Sequence, residues 1–221
     1  MEKPVLHKTR DGSHTLYIDE LDEYYHSMHG AVNESIHVFI NSAFTFHSGN
    51  KVKLFEMGLG TGLNVFLTMI RAEEEQRTVE YSAIEKYPLS GDILGQLNYI
   101  KLFTGSKVQW FPEIHSCPWG ENIRLTEFFT FKKIKADLIS IELENDFDII
   151  YFDAFAPDKQ PVLWSVEIFQ KLFDSLNHGG VLTTYSSKGK VRRAMLSCGF
   201  EVEKIAGPPG KREMLRAIKP G

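Results

Sequence analysis

The 221-residue sequence predicts an α/β fold: one open, doubly wound sheet, mostly parallel, with an antiparallel hairpin at its edge. Three observations predict it. Short apolar runs at 52–57, 79–84, 147–152 and 181–185 alternate with stretches of helical character. The first run breaks into a glycine-dense turn that opens a helix. The last two runs, 200–205 and 214–218, flank Gly207-Pro208-Pro209-Gly210, a hairpin signal.

Residues 14–25 mix β-forming side chains with acids and read as a short hairpin or an extended arm. From Asn33 onward, Ile36, Phe39, Ile40 and Ala43 recur at helical spacing, so a helix carries the chain into the core. This arm and helix, 1–48, pack on the main domain, 49–221, as a single structural unit. Strand 52–57, the glycine turn and a helix over 63–75 are followed by strand 79–84 and a helix over 89–97, together a βαβ unit. The stretch 108–141, punctuated by Pro112, Pro118 and Gly120, holds one sheet strand among irregular insertions. The near-continuous apolar run 147–152 suits a strand buried on both faces, with Asp153 at its end. A helix over 166–176 closes at Asn177-His178-Gly179-Gly180; strand 181–185, a basic helix over 188–197 and the hairpin complete the sheet.

Composition excludes several classes. With 43% hydrophobic and 24% charged residues the chain is neither disordered, collagen-like nor membrane-embedded. Its apolar runs fall far short of the roughly 18 residues that a span needs. Met1-Glu2-Lys3-Pro4 leads into polar residues without the apolar core of a secretory signal, which places the protein in the cytoplasm. Cys117 and Cys198 give no disulfide framework, and the eight histidines show no paired spacing, so no metal is expected. The net charge of -4 hides an asymmetry: residues 186–221 carry nine Lys/Arg against three Glu, an excess of +6. Such an end suits a nucleic-acid contact surface, though on charge alone a solvated helix face and hairpin is the stronger reading.

Ligands of open α/β sheets bind beyond the carboxyl ends of the strands, and three motifs fall there. In Glu56-Met57-Gly58-Leu59-Gly60-Thr61-Gly62-Leu63-Asn64 the glycines permit a tight turn and close approach of a ligand to bare backbone. The spacing G-x-G-x-G is not the G-x-G-x-x-G of a dinucleotide site. It suits S-adenosylmethionine, whose carboxylate the loop amides would take while Glu56 answers a positive group; a glycine turn serving packing alone is the alternative. Glu85, 23 residues beyond Gly62, stands where an acid meets ribose hydroxyls, or is a solvated loop residue. Asp137, after a third strand, would accept from the adenine amino group. In Asp153-Ala154-Phe155-Ala156-Pro157-Asp158-Lys159-Gln160-Pro161 the acid would face the methyl donor, and Phe155 would stack on or wall off the acceptor. Asp153 as a cap of the next helix is the competing role.

Together with Glu34-Ser35-Ile36-His37-Val38-Phe39, Glu85-Lys86-Tyr87-Pro88-Leu89, Trp164, Val191-Arg192-Arg193 and Lys211-Arg212-Glu213-Met214-Leu215, these stretches resemble, in order, the methyltransferase half of the bacterial MnmC family. That family makes 5-methylaminomethyl-2-thiouridine in tRNA. The resemblance runs from about residue 10 to the carboxy terminus and is weakest between 98 and 143. It implies a Rossmann-like class I methyltransferase fold, S-adenosylmethionine as donor, and the 5-aminomethyl group of the wobble (2-thio)uridine as acceptor. The donor would be held by Glu56, Gly58, Gly60, Gly62, Asn64, Glu85, Lys86, Asp137 and Asp153. Because the chain stops where the bifunctional enzymes continue into a flavin-dependent oxidase, it resembles a stand-alone methyltransferase and implies no flavin. It departs from the family at Ala154, where glycine is common; alanine is tolerated there unless the position needs a positive φ.

The reaction requires an acceptor nitrogen that has lost its ammonium proton, and Asp153 is placed to orient it, or to hold the donor's own amino group. Asp153 and Phe155 are therefore the catalytic candidates. Arg192, Arg193, Lys211 and Arg212 are the candidates for phosphate contact with a tRNA anticodon stem-loop. Tyr24, Tyr25 and Trp164 border the flipped base or belong to core and surface. The rivals are methylation of a small amine or aminopropyl transfer on the same fold, a non-catalytic RNA-binding partner, and, against the glycine spacing, a nicotinamide dehydrogenase.

Overall fold

The computed structural model describes residues 3–221; Met1 and Glu2, the start of the segment read above for a leader and of the 1–48 arm, lie outside the described residues. Strands β1 (Val5–Lys8), β2 (His14–Ile18) and β3 (Glu23–Tyr24) pair antiparallel into a small sheet, so the arm is a three-stranded unit and not a lone hairpin. Helix α1 (Ala31–Ser35) runs directly into a wider π-helical stretch (Ile36–Phe44), where Thr45 N reaches back five residues to Ile40 O at 2.8 Å. The chain then enters β4 (Lys51–Met57), α2 (Leu63–Glu75) and β5 (Thr78–Glu85). Next come two short helices, α3 (Gly91–Leu94) and α4 (Trp110–Ser116), and strands β6 (Ile123–Arg124) and β7 (Phe129–Lys135). The remainder is β8 (Phe147–Phe152), α5 (Val166–Ser175), β9 (Leu176–Thr184), α6 (Gly189–Ser197), β10 (Glu201–Ala206) and β11 (Glu213–Ile218).

The main sheet has the order β10-β11-β9-β8-β4-β5-β7-β6. Strands β7, β5, β4, β8 and β9 are parallel; β11 runs antiparallel to β9, and β10 to β11, as the edge hairpin. Strand order reverses between β4 and β8, the topological switch point at which such sheets open a ligand crevice. Side chains alternate across it. Leu54, Ile149 and Tyr151 meet Val38, Phe44, Val65 and Phe66 on one face, and Phe55, Ile150 and Phe152 meet Ile168, Phe169, Val191 and Met195 on the other. Each fully buried Phe or Leu contributes about 1.5–3 kcal/mol, so both helical layers are held to the sheet by these rows. Leu16, Ala31 and Phe39 of the amino-terminal segment belong to the first cluster.

Two predicted boundaries move. The helix expected over 89–97 shrinks to the four residues of α3. Asn177 to Gly180, expected as a helix-closing turn, lie within β9, which is irregular where it starts: the β8–β9 register shifts between Phe147 and Ile149, and Gly179 has φ 77°. Buried Arg77 gathers three carbonyls, Gly49 O, Phe44 O and His47 O at 2.7–2.9 Å, fixing the end of the π-helical stretch beside β5. No helix among the described residues is long and apolar enough to cross a membrane.

Candidate active site

A cavity of about 610 Å³ opens at the carboxyl ends of β4, β5 and β8. Its walls include Tyr25 and Glu34 from the amino-terminal segment, the 57–61 turn with Asn64, Glu85 to Tyr87, Asp137, Asp153 to Phe155, Tyr185 and Lys211. Its size is within the range of about 300–1,000 Å³ typical of small-molecule sites.

The floor is built by the glycine turn. Gly58 has φ 92°, and a Cβ there would stand 2.6 Å from Asp153 O, so the turn and the β8 loop touch backbone to backbone. Gly60 (φ 50°) lies against the Tyr25 ring, and a Cβ on Gly62 (φ 74°) would meet the His115 ring at 2.8 Å. The three glycine amides are engaged inside the protein: Gly58 N donates to Ile84 O at 3.1 Å, Gly60 N to Glu85 Oε2 at 3.0 Å and Gly62 N to Leu59 O at 2.8 Å. Each carries a single proton, so of the loop amides expected to receive a ligand carboxylate these three are already engaged. Gly58 and Gly60 present bare backbone to the cavity instead, and Gly62 does not line it.

Of the three carboxylates expected to converge, Glu85 and Asp153 line the cavity. Glu85 also accepts from Tyr87 N at 2.8 Å through its other oxygen, so its carboxylate is held between the glycine loop and the segment after β5. Glu56 is fully buried behind Asn64 and is not among the lining residues, a correction to its place as a direct ligand. Asn64 Nδ2 donates to Glu56 Oε1 and to Asp153 Oδ2, both at 2.9 Å, so Glu56 acts on the cavity through Asn64. Burial pushes the Glu56 carboxyl well above the usual range, with the Asp153 charge adding to it and Asn64 opposing. Asn64 Oδ1 is buried with no hydrogen-bond partner among the described residues.

Asp153 sits at the tip of β8, its amide held by Met57 O at 3.1 Å. Burial and the nearby Glu34 charge push its carboxyl up to about 7, against the lowering effects of Asn64 and Lys211. An acid with that proton affinity exchanges a proton near neutrality. Ala154 is not among the residues at positive φ, so its methyl group is accommodated without strain. Phe155 stands edge-on to Tyr25 with ring centroids 5.1 Å apart. Gln160 Oε1 accepts from Phe155 N at 3.1 Å and Trp164 Nε1 donates to Phe155 O at 2.9 Å, which fixes the loop's course.

Lys86 and Asp137 line the same cavity and pair with each other at 2.8 Å. That bond, with Ile139 N on its other oxygen at 3.0 Å, holds the Asp137 carboxyl below the usual carboxylate range. The four phosphate candidates differ in their surroundings. Lys211 lies in the cavity wall, bonded to Glu34 Oε1 at 3.0 Å with its ammonium 4.0 Å from the Tyr185 ring centre. Arg193 and Arg212 are exposed, and Arg192 is half-buried; none of the three makes an ion pair among the described residues. Lys188 and Lys190 both bind Asp158, Lys204 binds Glu213 and Arg216 binds Glu203; the two Glu are already counted in the +6, so it is Asp158 and, through Lys211, Glu34 that offset it from outside the stretch.

Glu34 and Tyr185 escaped the reading of single residues. Glu34 falls between the apolar positions of its helix, and the π-helical widening that follows changes the phase by which its direction would be read. The Tyr185 hydroxyl donates to Ala154 O at 2.8 Å, a contact no spacing foretells. Trp164, weighed from sequence as a neighbour of the base or as core, is buried against Phe152 and Phe169.

Comparison with known proteins places this geometry. Over 209 residues the chain is 29% identical to the tRNA 5-methylaminomethyl-2-thiouridine biosynthesis bifunctional protein MnmC of Campylobacter hominis, covering 91% of this chain and 31% of that protein. With the MnmC of Cupriavidus metallidurans it is 29% identical over 228 residues, covering 96% and 33%. The chain thus spans about a third of the length of the curated relatives it matches. The crystal structure of MNMC2 from Aquifex aeolicus superposes with a TM-score of 0.80 at 24% identity, covering 99% of this chain and 71% of that one. Spermidine synthase from Thermotoga maritima gives 0.61 at 14% identity, over 99% and 73%. These two likenesses are of fold. The sequence profile of a family described as S-adenosyl-L-methionine-dependent methyltransferase matches residues 109–220, half of the chain. With that match over the β8 loop, Tyr185 and the edge hairpin, on a class I methyltransferase sheet, the chain belongs to the S-adenosyl-L-methionine-dependent methyltransferases.

Proposed function

We propose that this enzyme methylates the 5-aminomethyl nitrogen of (2-thio)uridine at the wobble position of tRNA. The observation that carries the reading is Asp153, an acid held near neutrality on the cavity wall beside the aromatic pair Tyr25 and Phe155. A primary ammonium has no lone pair, so an acceptor of that kind needs a group that takes its proton near neutral pH. The printed names of the curated relatives support a tRNA acceptor, and exposed Arg193 and Arg212 supply charge for phosphates.

The donor supplies a methyl group on a sulfonium. The residues present fit it: Glu85 is positioned for ribose hydroxyls, Lys86 and Asp137 border the adenine end, and Asn64 with Asp153 offers polar atoms to the amino-acid end. Gly58 and Gly60 let the ligand lie close to backbone. In this reading the acceptor ammonium gives its proton to Asp153; the freed nitrogen pair forms the new C–N bond while the C–S pair returns to sulfur. Displacement of this kind calls on neither metal nor flavin, and the reading places the protein in the cytoplasm, engaging the anticodon stem-loop.

Incubating undermethylated tRNA with the protein and labelled S-adenosylmethionine, then analysing nucleosides by mass, tests it. Label in 5-methylaminomethyl-2-thiouridine is the expected result. Label in free amines alone, with none in tRNA, replaces this reading with a small-amine methyltransferase.

A further inference from the structure

Resting on that function, we propose that Glu34 and the face of Tyr185 form the subsite for the acceptor's ammonium group, and that Lys211 is its resident occupant, displaced when the acceptor enters. The ammonium of Lys211 stands where a substrate ammonium would be recognised: 3.0 Å from Glu34 Oε1 and 4.0 Å above the Tyr185 ring. A carboxylate plus an aromatic face is a general receptor for such a cation. All three side chains line the cavity that Asp153 lines, and the charges of Glu34 and Lys211 both act on the Asp153 carboxyl. The subsite is therefore on the proton-accepting side of the cavity.

The receptor is anchored independently of Lys211. Glu34 Oε2 accepts from Ser27 N at 2.6 Å, and the Tyr185 hydroxyl is bound to Ala154 O, so both stay in place when the lysine leaves. Lys211 is carried on the turn between β10 and β11, where Lys211 N bonds Pro208 O at 2.9 Å, and its side chain is one-third exposed. Its neighbour Arg212 is exposed. A long flexible side chain at such a place exchanges one anionic partner for another, here Glu34 for an RNA phosphate, without moving the backbone. An acceptor arriving with phosphates thus opens its own ammonium site, and a free amine must displace the lysine uncompensated.

The test compares Glu34→Gln and Lys211→Met in steady-state methylation of undermethylated tRNA and of the free nucleoside 5-aminomethyluridine, with direct measurement of S-adenosylmethionine binding. In Glu34→Gln the side-chain carbonyl oxygen still accepts from Ser27 N, so that variant keeps its fold. Glu34→Gln is expected to raise KM for both acceptors about tenfold or more while donor Kd changes less than about twofold. Lys211→Met is expected to lower KM for the free nucleoside several-fold and to raise it for tRNA. A donor Kd weakened as much as acceptor KM by Glu34→Gln would show that Glu34 serves the donor, and overturns the proposal. So does a Lys211→Met variant that loses on both acceptors alike, since the lysine is then part of the receptor. Wild-type protein that leaves tRNA unlabelled overturns the functional reading and this inference with it; active wild type with unaffected variants overturns the inference alone.

Discussion

Asn64 binds Asp153 at 2.9 Å through the same amide nitrogen that binds buried Glu56 at 2.9 Å, so one neutral side chain joins two acids of raised proton affinity. Removing it with Asn64→Ala takes a favourable hydrogen bond from the ionised form of Asp153, whose carboxyl is then pushed further up. The acidic limb of kcat/KM against pH should move to higher pH. Two buried partners lose a donor, which should cost about 1–3 kcal/mol in denaturant unfolding. An unchanged limb would mean that Asp153 does not govern it.

Asp153 itself sets the second expectation. With its carboxyl at about 7, activity should climb through neutrality as the carboxylate forms, and Asp153→Asn should abolish that limb. Turnover should fall by about 10²–10⁴, the usual share of general acid–base catalysis, with donor Kd changed far less. Equal losses in turnover and donor binding would make Asp153 a donor ligand only. Stability follows with a definite sign: the folded pKa lies above the unfolded value of 3.8, so the group's contribution is complete below about 4 and is lost as pH rises through 7. Thermal melts of wild type and Asp153→Asn across that window should converge at the acid end and favour the variant at the alkaline end.

Gly58 is the position of the turn least open to a side chain. A methyl group there meets Asp153 O at 2.6 Å, and both atoms belong to backbone that the sheet fixes, so the contact is relieved only by parting β4 from the β8 loop. Gly58→Ala should lower the melting temperature and weaken donor binding at least about tenfold. Gly60→Ala, which meets the Tyr25 ring at 3.3 Å and not backbone, should cost less on both counts. Reversal of that order would move the critical approach from Asp153 to Tyr25.

What the sequence made legible was whatever depends on local pattern. Helix α2 is found at the residues its periodicity marks, and β4 and β8 end where glycine and aspartate interrupt the apolar run. Glu85 and Asp153 were placed because strand ends in this topology face one crevice. Reading failed where a third residue decides. Glu56 is at a strand end too, but its alternating position turns it to the face that α2 covers, and Asn64 then stands between it and the cavity. Spacing does not reveal, among the loop amides, that those of Gly58 and Gly60 already donate to Ile84 O and Glu85. That Glu34, 177 positions away, claims Lys211 is a pairing that a formal charge sum cannot see.

That same pairing decides which basic residues contribute to RNA binding. A cation already bound to a carboxylate gives up one partner to gain another, whereas a free arginine releases condensed counterions from the phosphate at no such loss. Arg193 on α6 and Arg212 on the hairpin turn are exposed and make no ion pair among the described residues; Lys188 and Lys190 share Asp158. Arg193→Ala and Arg212→Ala should each weaken tRNA binding and reduce the slope of log K against log salt by about 1. Lys190→Ala should change it less, since Asp158 loses its charge partner as the phosphate does. Filter binding of tRNA over a salt series separates the two classes, and wild-type slopes for both arginine variants would mean that the phosphate track does not run over α6 and the hairpin.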